Sequence, residues 1–249
     1  MLRFLRATST VRRSEPVALP SLNVGGRIVP IELSRSPRSR RLTLRADAVR
    51  GCLRVTLPTR TKLSEAAALV GAHGGWIATQ VARWPVALPF VPGATIPFRG
   101  DQLRLEWDAA RSRGLVRVDD RLIVGGDPAT LPGRVTRWLR AQALAELEPA
   151  TRALAARVDR PLGGVRIGDP VARWGSCGSG RITYSWRLIL APPDVYHSVV
   201  AHEVAHLVHP NHGRDFWALA AELNGGNPAP ERAWLRAHGA GLHWVGRAG

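Results

Sequence analysis

The stretch 201-AHEVAHLVHPNHGRDFW-217 places four histidines within eleven positions and sets Glu203 directly after the first of them. Its upstream flank, PPDVYHSV, supplies Pro193 at a favourable first-turn position and Asp194 near the positive end of a helix dipole. Pro210 disfavours helix at the residue before it, so the spacing predicts a helix from Pro193 to near His209. On a 100° wheel His202, His206 and His209 share one face. Val200, Val204 and Leu207 lie opposite, and Val195, Val199 and Ala205 flank the histidines. A helix apolar nearly all round is a buried one.

Burial makes Glu203 informative, because an unpaired carboxylate in such a place is costly. The pattern His-Glu-x-x-His supplies a partner. Histidines at i and i+4 stand one turn apart and can converge on one zinc ion at ~2.0–2.1 Å. Glu203, on the adjacent side, can take a proton from water activated by that ion. The third ligand is less direct. His209 is on the correct face but lies seven residues from His202, roughly 10.5 Å along the axis. His212 follows the Pro210-Asn211 break, so the chain can turn back toward the ion, and its spacing of ten from His202 matches the long zinc-site pattern H-E-x-x-H-x-x-G-x-x-H. His212 is the favoured third ligand; His209, Glu222 and Glu231 are the alternatives.

Outward from this helix, the chain reads as α+β. Leu42 and Leu44, then Leu53, Val55 and Leu57, alternate with polar residues as half-buried strands do. Residues 62–84 follow helical spacing, weakened by Gly71, Gly74 and Gly75. Alternation resumes at Leu103, Leu105 and Trp107 and again around Val116–Val124, with Asp119-Asp120 as the turn. The stretch GGDPATLPG, 125–133, is the clearest punctuation and marks an expected boundary. A helix is expected over about 134–158, broken or kinked at Pro149. GVRIGDP and RITYSWRLIL read as strands. The expected organisation is a basic, disordered tail over 1–21, a β-rich N-terminal subdomain with one helix over 22–128, and a second domain over 129–249.

Composition narrows the classes. The 249 residues are 45% apolar, ordinary for a soluble globular protein. No apolar run approaches the ~20 residues that span a bilayer, so no membrane association is expected. Two cysteines exclude a disulfide scaffold and fit a reducing, cytoplasmic setting. The net charge is +16, and the first 60 residues hold 13 Arg against Glu15, Glu32 and Asp47. That asymmetry fits either a solvated basic surface or contact with nucleic acid through Arg35, Arg38, Arg40, Arg41 and Arg45.

RWGSCGSG (173–180), SWRLILAPPDV (185–195) and VVAHEVAHLVHPNHGRDFW (199–217) together resemble the YgjP-like metallopeptidase domain, a group of predicted metal-dependent hydrolases related to SprT-like proteases. The resemblance is tight over 171–217. It is looser over about 25–170, where SRRLTLRAD, GGWI and PFRG are similar to family features. It implies a zincin-like domain with a small sheet packed on helices, one zinc ion held by His202, His206 and His212, and Glu203 as catalytic acid/base acting on a protein or peptide. By analogy with SprT-like relatives, the basic N-terminal region would dock on nucleic acid and the hydrolase act on bound proteins. A zinc module without catalysis is the third reading, with Cys177 as a fourth ligand. Gly175 and Gly178 are expected to allow a tight loop, Trp174 and Arg173 to brace the sheet or position substrate, and Tyr184 and Tyr196 are candidate oxyanion donors. Oligomeric state is not legible in the residues.

Overall fold

Strand-forming alternation and glycine punctuation divide the chain into short elements, and the computed structural model describes them for residues 19–111 and 114–248. The tail expected over 1–21 lies outside the described residues up to position 18; its last three residues already belong to a strand. The chain separates into two units, Met1–Trp84 and Pro85–Gly249.

In the first unit the strands are β1 (Leu19–Val24), β2 (Arg27–Arg35), β3 (Thr43–Asp47) and β4 (Cys52–Leu57). They form one sheet in the order β1-β2-β4-β3, with β2 and β4 parallel and the outer pairs antiparallel. Val29, Leu53, Val55 and Leu57 are wholly buried on one face, as their alternation requires. The single helix expected over 62–84 is two: α1 (Leu63–Ala72) and α2 (Gly74–Ala82). His73 sits between them at φ −108°, ψ 19°. Three glycines around that residue supply no packing to hold one continuous helix, so the chain bends there and Ile77 and Val81 still reach the core. Of the N-terminal arginines, Arg35 is used internally, donating from Nη1 to the carbonyls of Thr59 and Thr61 at 2.9 and 2.8 Å. Arg38, Arg40, Arg41 and Arg45 are exposed.

The second unit begins with β5 (Thr95–Phe98), β6 (Asp101–Asp108), β7 (Leu115–Val118) and β8 (Arg121–Gly125), in the order β5-β6-β8-β7. Asp119, at φ 53°, occupies the expected turn between β7 and β8, where an Asp tolerates left-handed backbone. The boundary expected at 128/129 falls inside this unit. Asp127 caps a single 3-10 turn, accepting from the Ala129 N–H, and the chain passes directly into α3 (Leu131–Arg157). Leu103, Leu105, Leu122 and Val124 share one core with Leu131, Val135 and Leu139. Turn residues mark a reversal of the chain; only shared burial decides whether two stretches form one body.

Helix α3 runs through Pro149. Pro149 and Ala145, whose carbonyl loses its i+4 donor, are both exposed, so water can satisfy that carbonyl. Leu131, Val135, Leu139, Ala143, Leu147 and Leu154 are buried along the opposite face and hold the helix continuous. Beyond it come β9 (Gly164–Gly168), β10 (Gly175–Gly178) and β11 (Arg181–Ser185), in the order β10-β11-β9, so that β10 is an edge strand. The second half of RITYSWRLIL is not a strand but a 3-10 segment, Trp186–Leu190, capped by the Ser185 hydroxyl accepting from the Arg187 N–H. The chain ends in α4 (Pro193–Ala205), α5 (Arg214–Asn224) and α6 (Ala229–Leu242). α4 packs against α3, α5, α6 and β10, which explains its burial on nearly every side. No helix among the described residues is long and apolar enough to cross a membrane.

Arg187 ties the end of this unit together. Its guanidinium donates to Asp169 at 2.8 and 3.2 Å and to the carbonyls of Leu242 and Val245 at 2.8 and 2.9 Å. Burial opposes charge on Asp169, but the hydrogen bonds and charge of Arg187 outweigh it and hold the carboxyl below its ordinary value. Replacing Arg187 with Met should therefore cost about 1–3 kcal/mol, most of it from the carbonyls of Leu242 and Val245 left without a donor and a smaller part, screened by water, from the partly exposed Asp169. A depressed carboxylate contributes stability that is present above its unfolded pKa of about 4 and is lost as pH falls through the lower folded value. Denaturant unfolding at pH 7 and pH 3 checks both points. The gap between parent and variant should narrow at pH 3, and an unchanged gap would remove Asp169 from the account.

Candidate active site

Local helix geometry puts His202 and His206 one turn apart, and the chain then tightens. The Leu207 and Val208 N–H groups donate to carbonyls three residues back, and the His209 N–H donates to the Ala205 carbonyl at 2.9 Å. Regular helix thus ends at Ala205, four residues earlier than the proline alone suggests. This tight last turn and Pro210 bring His212 back beside the helix. Nε2 of His212 lies 3.2 Å from Nε2 of His202. One nitrogen from each of His202, His206 and His212 falls within 4.8 Å of the others. Glu222, Glu231, His209 and Cys177 are not part of that group.

His209 contributes its backbone instead. Its carbonyl oxygen lies 3.1 Å from Nδ1 of His206, which assigns the proton of that imidazole to Nδ1 and leaves Nε2 free as a ligand. Burial, together with the neighbouring imidazoles, lowers His202 to about 4. Burial lowers His206 as well, and more than offsets the opposing effect of the His209 carbonyl. Both rings are neutral near pH 7, the form that binds metal. Phe216, wholly buried on α5, forms the floor: its ring centroid is 4.5–4.9 Å from those of all three histidines.

The donor set fits a divalent ion. Two nitrogens each ~2.0–2.1 Å from a tetrahedral ion stand about 3.3 Å apart, close to the 3.2 Å between His202 and His212. Three imidazoles are also the ligand set of a site that keeps a fourth position open.

Glu203 is buried at 6% exposure beside these rings. Burial raises its carboxyl to about 7, against the opposing charge of Arg173 and a hydrogen bond from the Cys177 N–H. The carboxyl is held against β10, and Gly175 makes the space. A Cβ on Gly175 would lie 2.6 Å from both Cγ and Oε1 of Glu203. Gly175 was expected to permit a tight loop. It opens a strand instead, and what matters is its missing side chain. Replacing Gly175 with Ala should displace Glu203 or the strand, costing about 1–3 kcal/mol of stability and lowering turnover about 100-fold through misplacement by an ångström or so. Thermal melting and turnover check it; an Ala chain as active as the parent would show that the close fit is irrelevant.

Other expectations fare differently. Tyr184 is wholly buried and its hydroxyl pairs with that of Thr151 at 3.0 Å, so it is not a donor to the site. Tyr196 is directed to Glu146. Cys177 lines the groove beside the histidines, and burial raises its thiol. Trp174 packs its ring 5.1 Å from that of His243. The groove, about 810 Å³ and open to solvent, is walled by residues 175–180 on one side and by His202, Glu203, His206 and His212 on the other.

A family model described as YgjP-like, metallopeptidase domain, matches residues 40–238. The chain belongs to the YgjP-like metallopeptidase family. The match spans the histidine helix, RWGSCGSG and most of both units, and extends the tight resemblance of 171–217 at both ends. As a YgjP-like domain the chain is a metal-dependent hydrolase of the peptidase class. No curated protein and no solved structure matches the chain.

Proposed function

We propose that this YgjP-like chain is a zinc-dependent peptidase in which His202, His206 and His212 hold one ion and Glu203 is the general base and acid. The observation that carries the reading is the convergence of three imidazoles beside a buried carboxylate at the edge of an open groove. A zinc ion there supplies a Lewis acid that acidifies water and polarises a scissile carbonyl. Glu203 accepts the proton of the attacking water at its carboxylate and passes it to the departing amine. A carboxyl poised near neutrality serves both directions. The Cys177 N–H and the space over Gly175 keep the carboxylate aimed into the groove. Phe216 excludes water from beneath the imidazoles and fixes their planes. An open groove suits an extended polypeptide segment better than a small metabolite, which prefers enclosure.

A non-catalytic zinc module needs a fourth ligand to close the site. The converging group holds three, and a base is superfluous there. The nucleic-acid reading draws on the exposed Arg38, Arg40, Arg41 and Arg45. Contact with phosphates would make binding fall steeply with salt. The decisive experiment follows an unfolded protein by mass spectrometry with the metal-loaded chain and with its Glu203→Gln variant. The parent should produce fragments and the variant almost none. Equal rates, or no cleavage by the parent, would sink the peptidase reading.

A further inference from the structure

A second cavity, about 250 Å³, adjoins the groove, sharing Gly175, His202 and Glu203 with it. Its volume equals roughly eight waters, enough for one long side chain or a chain end and too little for a folded segment. Trp174, Val199, Trp217 and Leu235 make its walls largely apolar. Two guanidiniums interrupt them: Arg173 from the segment before β10, and Arg232 from α6. Arg232 is stacked 4.4 Å over the Trp217 ring, so its position is fixed by packing. Among the described residues no carboxylate forms an ion pair with either arginine.

Two exposed guanidiniums at the rim of largely apolar walls, neither held in an ion pair although the charge of Arg173 also reaches Glu203, are a site for an anion. The planar fork of Arg matches a carboxylate in a bidentate pair, and two such forks converging on one cavity give it direction. We propose that this cavity receives the substrate residue next to the cleaved bond and that Arg173 and Arg232 select a carboxylate there. That carboxylate is either an acidic side chain or the free end of a peptide. The inference rests on the hydrolase reading of the adjoining site, and its test is kept independent of turnover.

Trp174 and Trp217 line the cavity, so intrinsic fluorescence reports occupancy. The probes are acetyl-Ala-Ala-Glu-Ala-Ala-amide against its Gln counterpart, and acetyl-Ala-Ala-Ala with a free carboxylate against its amide. The full chain should bind the carboxylate member of at least one pair at least tenfold more tightly. Preference within the first pair identifies a side-chain carboxylate, and within the second a chain end. In the Arg173→Gln/Arg232→Gln variant the preference should fall below twofold. If that variant melts early, Arg232→Gln alone should reduce the preference at least threefold. Equal or undetectable binding of charged and neutral probes by the parent, or a preference surviving in the variants, overturns the proposal. Selective binding by a chain that cleaves nothing would sink the peptidase reading and leave the pocket standing; cleavage by a chain indifferent to carboxylates does the reverse.

Discussion

Turnover of an unfolded protein by the Glu203→Gln chain should fall about 1,000-fold, within the range that loss of a general base brings, with metal content unchanged. Gln is nearly isosteric with Glu. It fits the space left over Gly175, and its amide oxygen can still accept from the Cys177 N–H. The imidazoles and their floor are untouched. What is lost is the proton acceptor. A 1,000-fold loss corresponds to about 4 kcal/mol of barrier. The fold should not suffer, because the variant removes a buried ionisable group whose carboxylate form burial already disfavours. Metal analysis, melting temperature and turnover on one preparation separate the possibilities. A loss of activity that tracks a loss of metal would make Glu203 a structural prop for the ligands rather than the base.

His212→Ala should strip the metal and take turnover below detection, whereas His209→Ala should leave both nearly intact. His202 and His206 hang from one helical turn and offer only two nitrogens; the third comes from beyond Pro210. Loss of an outer hydrogen bond around a metal typically costs ~10–100-fold in affinity, and loss of a ligand should cost more. Because His212 is exposed, its removal should shift the stability of the metal-free chain by less than about 0.5 kcal/mol. His209 touches the site through its carbonyl, which Ala retains. Metal titration of both variants checks the pair. Metal retained by His212→Ala and lost by His209→Ala would reverse the assignment of the third ligand.

Parts of this architecture were legible in the residues because they are local. The i, i+4 spacing of His202 and His206 places two rings on one face of any helix. The height of His209 argues against its ring, and the break at Pro210 allows His212 to return. The burial of α4 follows from valines on every side of it. Misreadings have equally physical causes. Pro149 was expected to break or kink α3; it does not break it, because a proline on the solvent face leaves its orphaned carbonyl to water and the buried stripe opposite keeps the helix continuous. The punctuation at 125–133 looked like a boundary, yet strand and helix on its two sides share one core.

The sequence by itself determined the class of the fold, the histidine helix and the chemistry that its residue types can perform, since these depend on backbone periodicity over a few residues. Tertiary structure alone decided that Gly175 yields its side-chain volume to Glu203, 28 positions away, and that Arg173 and Arg232 face one cavity across 59. Periodicity records which face of an element is buried, but which residues of two distant elements meet is set by how whole elements pack and leaves no trace in either segment.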